Sequence, residues 1–247
     1  MKINLTILFI ATLFFACEKN ADNRSAASAN DSGKGGSLTR FTIAGDYLYA
    51  VDNHFLYTYY IKDATNPVVK GQSPLNFDME TIYNFKDKLF IGTRQGLYVY
   101  SITDPANPTK LGEAKHARSC DPVVANDTVA FVTLKGNSTC GPAQDGLYIH
   151  DVKNILEPVL KTTLLISTPE GLGLQDSVLY VCAGDNGLHV LNVKKPFEPV
   201  EIKELKDAVY HDVIPDGNLL ICLVSTGILL YDISEPENPV LINEIDK

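Results

Sequence analysis

Few residues in this chain could move a proton or grip a charged ligand, and they are scattered. Glu80, Asp121, Glu170 and Asp212 are the carboxylates that could work as an acid–base pair. His116 and His211 could relay a proton, and Arg94 and Arg118 could hold an anion. Glycoside hydrolysis needs two carboxyl groups flanking the bond, one protonated and one ionised. Other hydrolytic signatures are missing: the sequence has no G-x-S-x-G elbow, no H-E-x-x-H and no phosphate-cradling glycine loop. Its cysteines form no C-x-x-C pair and no Cys/His cluster at ligand spacing, so neither a metal nor another cofactor is expected. The net charge of −9, from 30 acids and 21 bases, excludes a phosphate-backbone partner, because such surfaces are basic. Trp is absent, so a stacking platform for sugars would have to use the 12 Tyr and 10 Phe.

The elements that must position these residues come from a repeat. Five segments align on a proline: FLYTYYIKDATNP, GLYVYSITDPANP, GLYIHDVKNILEP, GLHVLNVKKPFEP and GILLYDISEPENP. The anchors are Pro67, Pro108, Pro158, Pro199 and Pro239, at spacings of 41, 50, 41 and 40. Twelve residues before each stands Phe55, Gly96, Gly146, Gly187 or Gly227, where a turn with positive φ is expected. The runs between carry β-branched and aromatic residues at both parities, the mark of a strand buried on both faces. A second strand precedes each run: 47–51, 88–92, 129–133, 178–182 and 219–223. Each is introduced by a turn holding Asp46, Asp87, Asp127, Asp176 or Asp216. With two more strands per unit, labelled A to D in chain order, residues 38–247 make five units averaging 42 residues. That is the size of a four-stranded blade, so the expected fold is all-β, a five-bladed propeller. Each blade would use contiguous sequence, so that either blade packing alone closes the ring or the strand register is shifted by one strand.

The spacing of 50 marks an insertion of about ten residues in unit 3, between strands B and C, on general repeat logic. Loops joining D to A and B to C share one face of a propeller. Cys120 and Cys140 therefore fall on one face, and an oxidising compartment would pair them. Such a bridge, closing a loop of about twenty residues, stabilises by about 3 kcal/mol. Cys182 and Cys222 lie inside apolar strands and read as unpaired core. The same face gathers Arg94, His116, Arg118, Asp121, Glu80, Glu170, His211 and Asp212, the candidate binding surface.

The N-terminus has an export pattern. Lys2 precedes an apolar stretch, Ile3 to Ala16, of signal-peptide length. Its end, LFFAC, resembles a lipobox, which implies cleavage after residue 16 and lipidation of Cys17. Residues 17–37 are the lipidated cysteine and a polar tether, and the propeller occupies 38–247. The turn motifs LYVYSITDPANP and ILLYDISEPENP resemble the LVIVD repeat family of β-propeller proteins. That resemblance implies a propeller outside the cytoplasm, and it covers nearly all of 38–247. The combined expectation is a lipoprotein of the bacterial cell envelope, anchored at the outer membrane. Its non-catalytic propeller would bind an envelope protein or a glycan. The competing expectation is a glycosidase-like hydrolase using the funnel carboxylates.

Overall fold

The computed structural model describes residues 35–75, 79–115, 122–136 and 144–247. Strands alternate with short turns throughout, and they assemble into five four-stranded antiparallel sheets, each in simple sequence order. Blade 1 is β1 (Phe41–Ala44), β2 (Tyr47–Val51), β3 (Phe55–Tyr60) and β4 (Val68–Pro74). Blade 2 is β5 (Met79–Phe85), β6 (Lys88–Thr93), β7 (Gly96–Ser101) and β8 (Thr109–Lys115). Blade 3 is β9 (Val123–Ala125), β10 (Val129–Leu134), β11 (Gly146–Asp151) and β12 (Val159–Leu164). Blade 4 is β13 (Leu172–Gln175), β14 (Val178–Cys182), β15 (Leu188–Asn192) and β16 (Val200–Leu205). Blade 5 is β17 (Tyr210–Asp216), β18 (Leu219–Val224), β19 (Gly227–Asp232) and β20 (Val240–Asp246). The molecule is a five-bladed β-propeller, and the first strand of each blade lines a central channel of about 230 Å³.

The repeat motif acts at the blade's outer half. The turn before each anchor proline closes with the same backbone bond, Asn66 to Asp63, Asn107 to Asp104, Glu157 to Asn154, Glu198 to Lys195 and Asn238 to Glu235. The proline then precedes the fourth strand, where its missing N–H costs nothing. The repeated glycine has a different cause from the one expected. Of the four, Gly187 alone lies well inside the positive-φ region, at 93°. What all four share is crowding by the fourth strand. A Cβ would sit 2.3 Å from the Ala114 carbonyl at Gly96, 2.7 Å from Leu164 at Gly146, 2.1 Å from Leu205 at Gly187 and 2.0 Å from Ile245 at Gly227. Close backbone approach, more than turn conformation, selects glycine here.

Packing between blades follows the strand pleat. The third residue of each second strand points at the next blade: Tyr49, Phe90, Phe131 and Tyr180 are all fully buried. Four apolar clusters result, joining blades 1 to 2, 2 to 3, 3 to 4 and 4 to 5. Two of these anchors also reach across with their hydroxyls, Tyr49 to the Pro105 carbonyl at 2.8 Å and Tyr180 to the Pro236 carbonyl at 2.6 Å. Cys182 and Cys222 are buried free thiols in the last cluster, and burial pushes both thiols up, so neither is a nucleophile at neutral pH.

Among the described residues no such cluster joins blade 5 to blade 1. Ile221 stands where the other blades place an aromatic anchor, and its neighbour Leu223 is 45% exposed. The opposing face of blade 1 carries Leu48, Ala50 and a row of rings, Phe55, Tyr57 and Tyr59, with centroids 6.0 and 6.3 Å apart. Pro67 is exposed, whereas Pro158 and Pro239 are buried under the preceding blade. Among the described residues, blade packing therefore does not close the ring.

A different device ties it. Residues 36–39, of which 36 and 37 belong to the expected tether, pass over the channel. The Thr39 carbonyl accepts from Ile82 of blade 2 at 3.0 Å. The Ser37 hydroxyl accepts from Leu172 N–H of blade 4 at 2.7 Å and donates to Asp212 of blade 5 at 3.2 Å. Ser37 is 1% exposed, so the folded body begins ahead of Leu38.

Burial raises Asp212 from the usual carboxylate range to about 6, against the opposing pull of the Val213, Ser37 and Leu38 hydrogen bonds. Because the native state holds this proton more tightly than the unfolded chain, the associated penalty is absent below the unfolded value. It grows through pH 4 to 6 and is full above that. The protein is thus expected to be about 1 kcal/mol more stable at pH 5 than at pH 7 on this account, or about 2–4 °C in melting temperature. Melts of wild type and Asp212→Asn across that range check it, since the variant should lose the acid-side gain.

Candidate functional site

Two strand irregularities build the site at the end of the channel where B–C turns and D–A loops meet. In blade 2 the pairing jumps from Met79↔Thr93 to Thr81↔Gly92, leaving Glu80 unpaired. In blade 5 it jumps from Tyr210↔Val224 to Asp212↔Leu223, leaving His211 unpaired. Bulges of this kind re-aim one side chain out of the sheet. Glu170 holds the equivalent position in blade 4, one residue before Gly171, whose carbonyl accepts from Cys182 N–H. Its backbone is fixed from both sides: the Glu170 N–H donates to the Cys182 carbonyl at 2.7 Å, and the Thr133 hydroxyl donates to the Glu170 carbonyl at 2.6 Å. Thr168, two residues ahead, has φ of 48°, unusual for a β-branched residue. Its N–H donates to Asp145, whose other oxygen accepts from Gly136 N–H, so one carboxylate ties the insertion of blade 3 to this loop.

The side chains form linked pairs. Arg94, in the β6–β7 turn, donates through Nε to Glu80 at 2.8 Å. Lys135, the residue after β10, donates to Glu170 Oε1 at 2.7 Å. The other Glu170 oxygen lies 2.7 Å from His211 Nδ1, and His211 Nε2 lies 2.8 Å from the Ser225 hydroxyl. The Lys135 and His211 contacts outweigh partial burial and hold Glu170 below the usual glutamate range. Glycosidase chemistry asks for a carboxyl that stays protonated. Glu170 is held anionic. Asp212 is raised, but its oxygens are engaged by Ser37, Leu38 and Val213 inside the body.

Of the expected surface, Arg94, Glu80, Glu170 and His211 do stand together at this mouth, while Asp212 turns inward to clasp the N-terminal segment. His116, Arg118, Asp121, Cys120, Cys140 and Cys17 lie outside the described residues. Lys135 and Ser225 were not anticipated. Each is the first residue after its second strand, the place Arg94 holds in blade 2, so repeat register could have found both. Away from the mouth, His189, Glu201 and Glu204 cluster on the outer strands of blade 4, with Glu204 paired to Lys206 at 3.1 Å.

No protein-family profile and no curated protein matches the chain. Solved structures do resemble it. A functionally unknown protein from Desulfotomaculum acetoxidans superposes with a TM-score of 0.66 at 13% identity, over 82% of this chain and 66% of that one. AztD of Citrobacter koseri gives 0.56 at 14% identity, over 81% and 59%. BamB from Moraxella catarrhalis gives 0.58 at 10% identity, over 89% and 68%. The chain thus spans about two thirds of the length of these structures, and at such identities the likeness shows the propeller fold and nothing finer.

Proposed function

We propose that this protein is an exported lipoprotein, anchored through Cys17 in the bacterial envelope, whose propeller binds a protein or glycan at the channel mouth. The observation that carries the reading is the paired charge array there. Bulges and backbone bonds hold Glu80, Glu170 and His211 at one repeat position in three blades, and Arg94 and Lys135 pair with the two glutamates. Rigid scaffolds presenting fixed polar groups on loops are the usual basis of recognition. The signal-like N-terminus and the resemblance of the turn motifs to the LVIVD repeats support the location. AztD and BamB share the fold and leave the partner open.

The test is affinity capture from envelope extracts with the full chain as bait, beside a variant carrying Arg94→Ala and Lys135→Ala. A partner retained by wild type and reduced at least tenfold with the variant is expected. Equal recovery by both baits would remove the mouth as the binding surface.

A further inference from the structure

The Glu170–His211–Ser225 chain has an order that recognition alone does not require. A hydroxyl meets the distal imidazole nitrogen, and a carboxylate meets the proximal one. That order fixes the tautomer: Nδ1–H donates to Glu170, which leaves Nε2 to accept the Ser225 proton. Ser225 is exposed in the tight β18–β19 turn, so its oxygen is open to a reactant. His211 is partly exposed, and the Glu170 carboxylate behind it is more shielded, at 37% and 21% of their side-chain surfaces. We propose that Ser225 is a nucleophile activated by His211, with Glu170 as the positioning residue, and that this site hydrolyses short-chain acyl esters.

The chemistry balances with water as the only co-reactant. Ser225 Oγ bonds to the ester carbonyl carbon while its proton passes to His211 Nε2, and the carbonyl electron pair moves onto oxygen. Collapse breaks the bond to the alcohol, which leaves with the Nε2 proton, and Ser225 is acylated. Water then gives a proton to Nε2 and attacks the acyl carbon. The carboxylic acid departs, and Ser225 recovers its proton. Lys247, whose ammonium donates to the Ser225 carbonyl at 2.9 Å and has further N–H donors to offer, is a cation held at this turn that could meet the negative charge of the tetrahedral stage. Ser225 stands exposed in a two-residue turn, which favours small acyl groups such as acetyl carried on a larger molecule.

The test uses the full chain, solubilised in detergent, with a fluorophosphonate probe and 4-nitrophenyl acetate. The probe should phosphonylate Ser225 Oγ with loss of fluoride, located by peptide mass spectrometry. Ser225→Ala should abolish that label, and His211→Gln should slow it at least a hundredfold, with melting temperatures unchanged. Glu170→Gln should lower kcat for the acetate with little change in KM. Absence of the Ser225 label in wild type, or acetate turnover that survives Ser225→Ala undiminished, would overturn the proposal. Neither result depends on whether a partner is captured at the mouth.

Discussion

Phe131→Ala should lower the stability of this protein by about 3–5 kcal/mol, read as a shift in the urea midpoint. The ring is fully buried between blades 3 and 4, among Leu147, Leu179, Val181 and Leu191. Those neighbours are held by two sheets and cannot collapse into the space left behind. The informative comparison is Ile221→Ala, the same repeat position in blade 5. No described blade covers that face, so the loss there should be no more than about 1 kcal/mol, the range of a surface change. A large loss at Ile221 would mean that blade 5 is covered in solution by something the apolar clusters do not contain.

Gly112→Val is expected to be worse than its size suggests. Gly112 lies on β8, and a Cβ there would stand 2.0 Å from the Ile155 carbonyl of the neighbouring blade. The obstruction is backbone on both sides, so no side chain can swing away, and blades 2 and 3 must part at their outer edge. The expected cost exceeds about 3 kcal/mol, at the upper end of overpacking effects. Gly45→Ala is the control. Its φ is 58° and nothing lies within 4 Å of the added carbon, so the cost should be only about 1 kcal/mol of conformational strain. Parallel thermal melts would separate crowding from backbone conformation.

The architecture was legible because its signals are local and repeated. Five prolines, four glycines and strand runs apolar at both parities each specify a piece of one blade, and blade follows blade in chain order. The reason for the glycines was not legible, since the nearby carbonyl of the fourth strand belongs to residues about eighteen positions downstream and only pairing brings it close. The open face between blades 5 and 1 had one trace in sequence, Ile221 in a column otherwise of Tyr and Phe. Asp212 reads as a surface acid because it sits, with His211, at the start of a first strand. In the strand these two neighbours point in different directions, His211 to the mouth and Asp212 into the body. Ser225 and Lys135 are ordinary turn residues in isolation, and their importance comes from meeting His211 across the same blade and Glu170 of the next blade.

The passage of residues 36–39 over the channel also has a mechanical meaning. A pull on the N-terminal side of this chain enters the molecule at its axis and not at its rim. The load reaches blades 2, 4 and 5 through Ile82, Leu172 and Asp212 before it reaches β1. Tension from an anchored N-terminus would then draw three blades towards a common centre, and the weakly joined edge of the ring would be spared the shear that a rim attachment would apply.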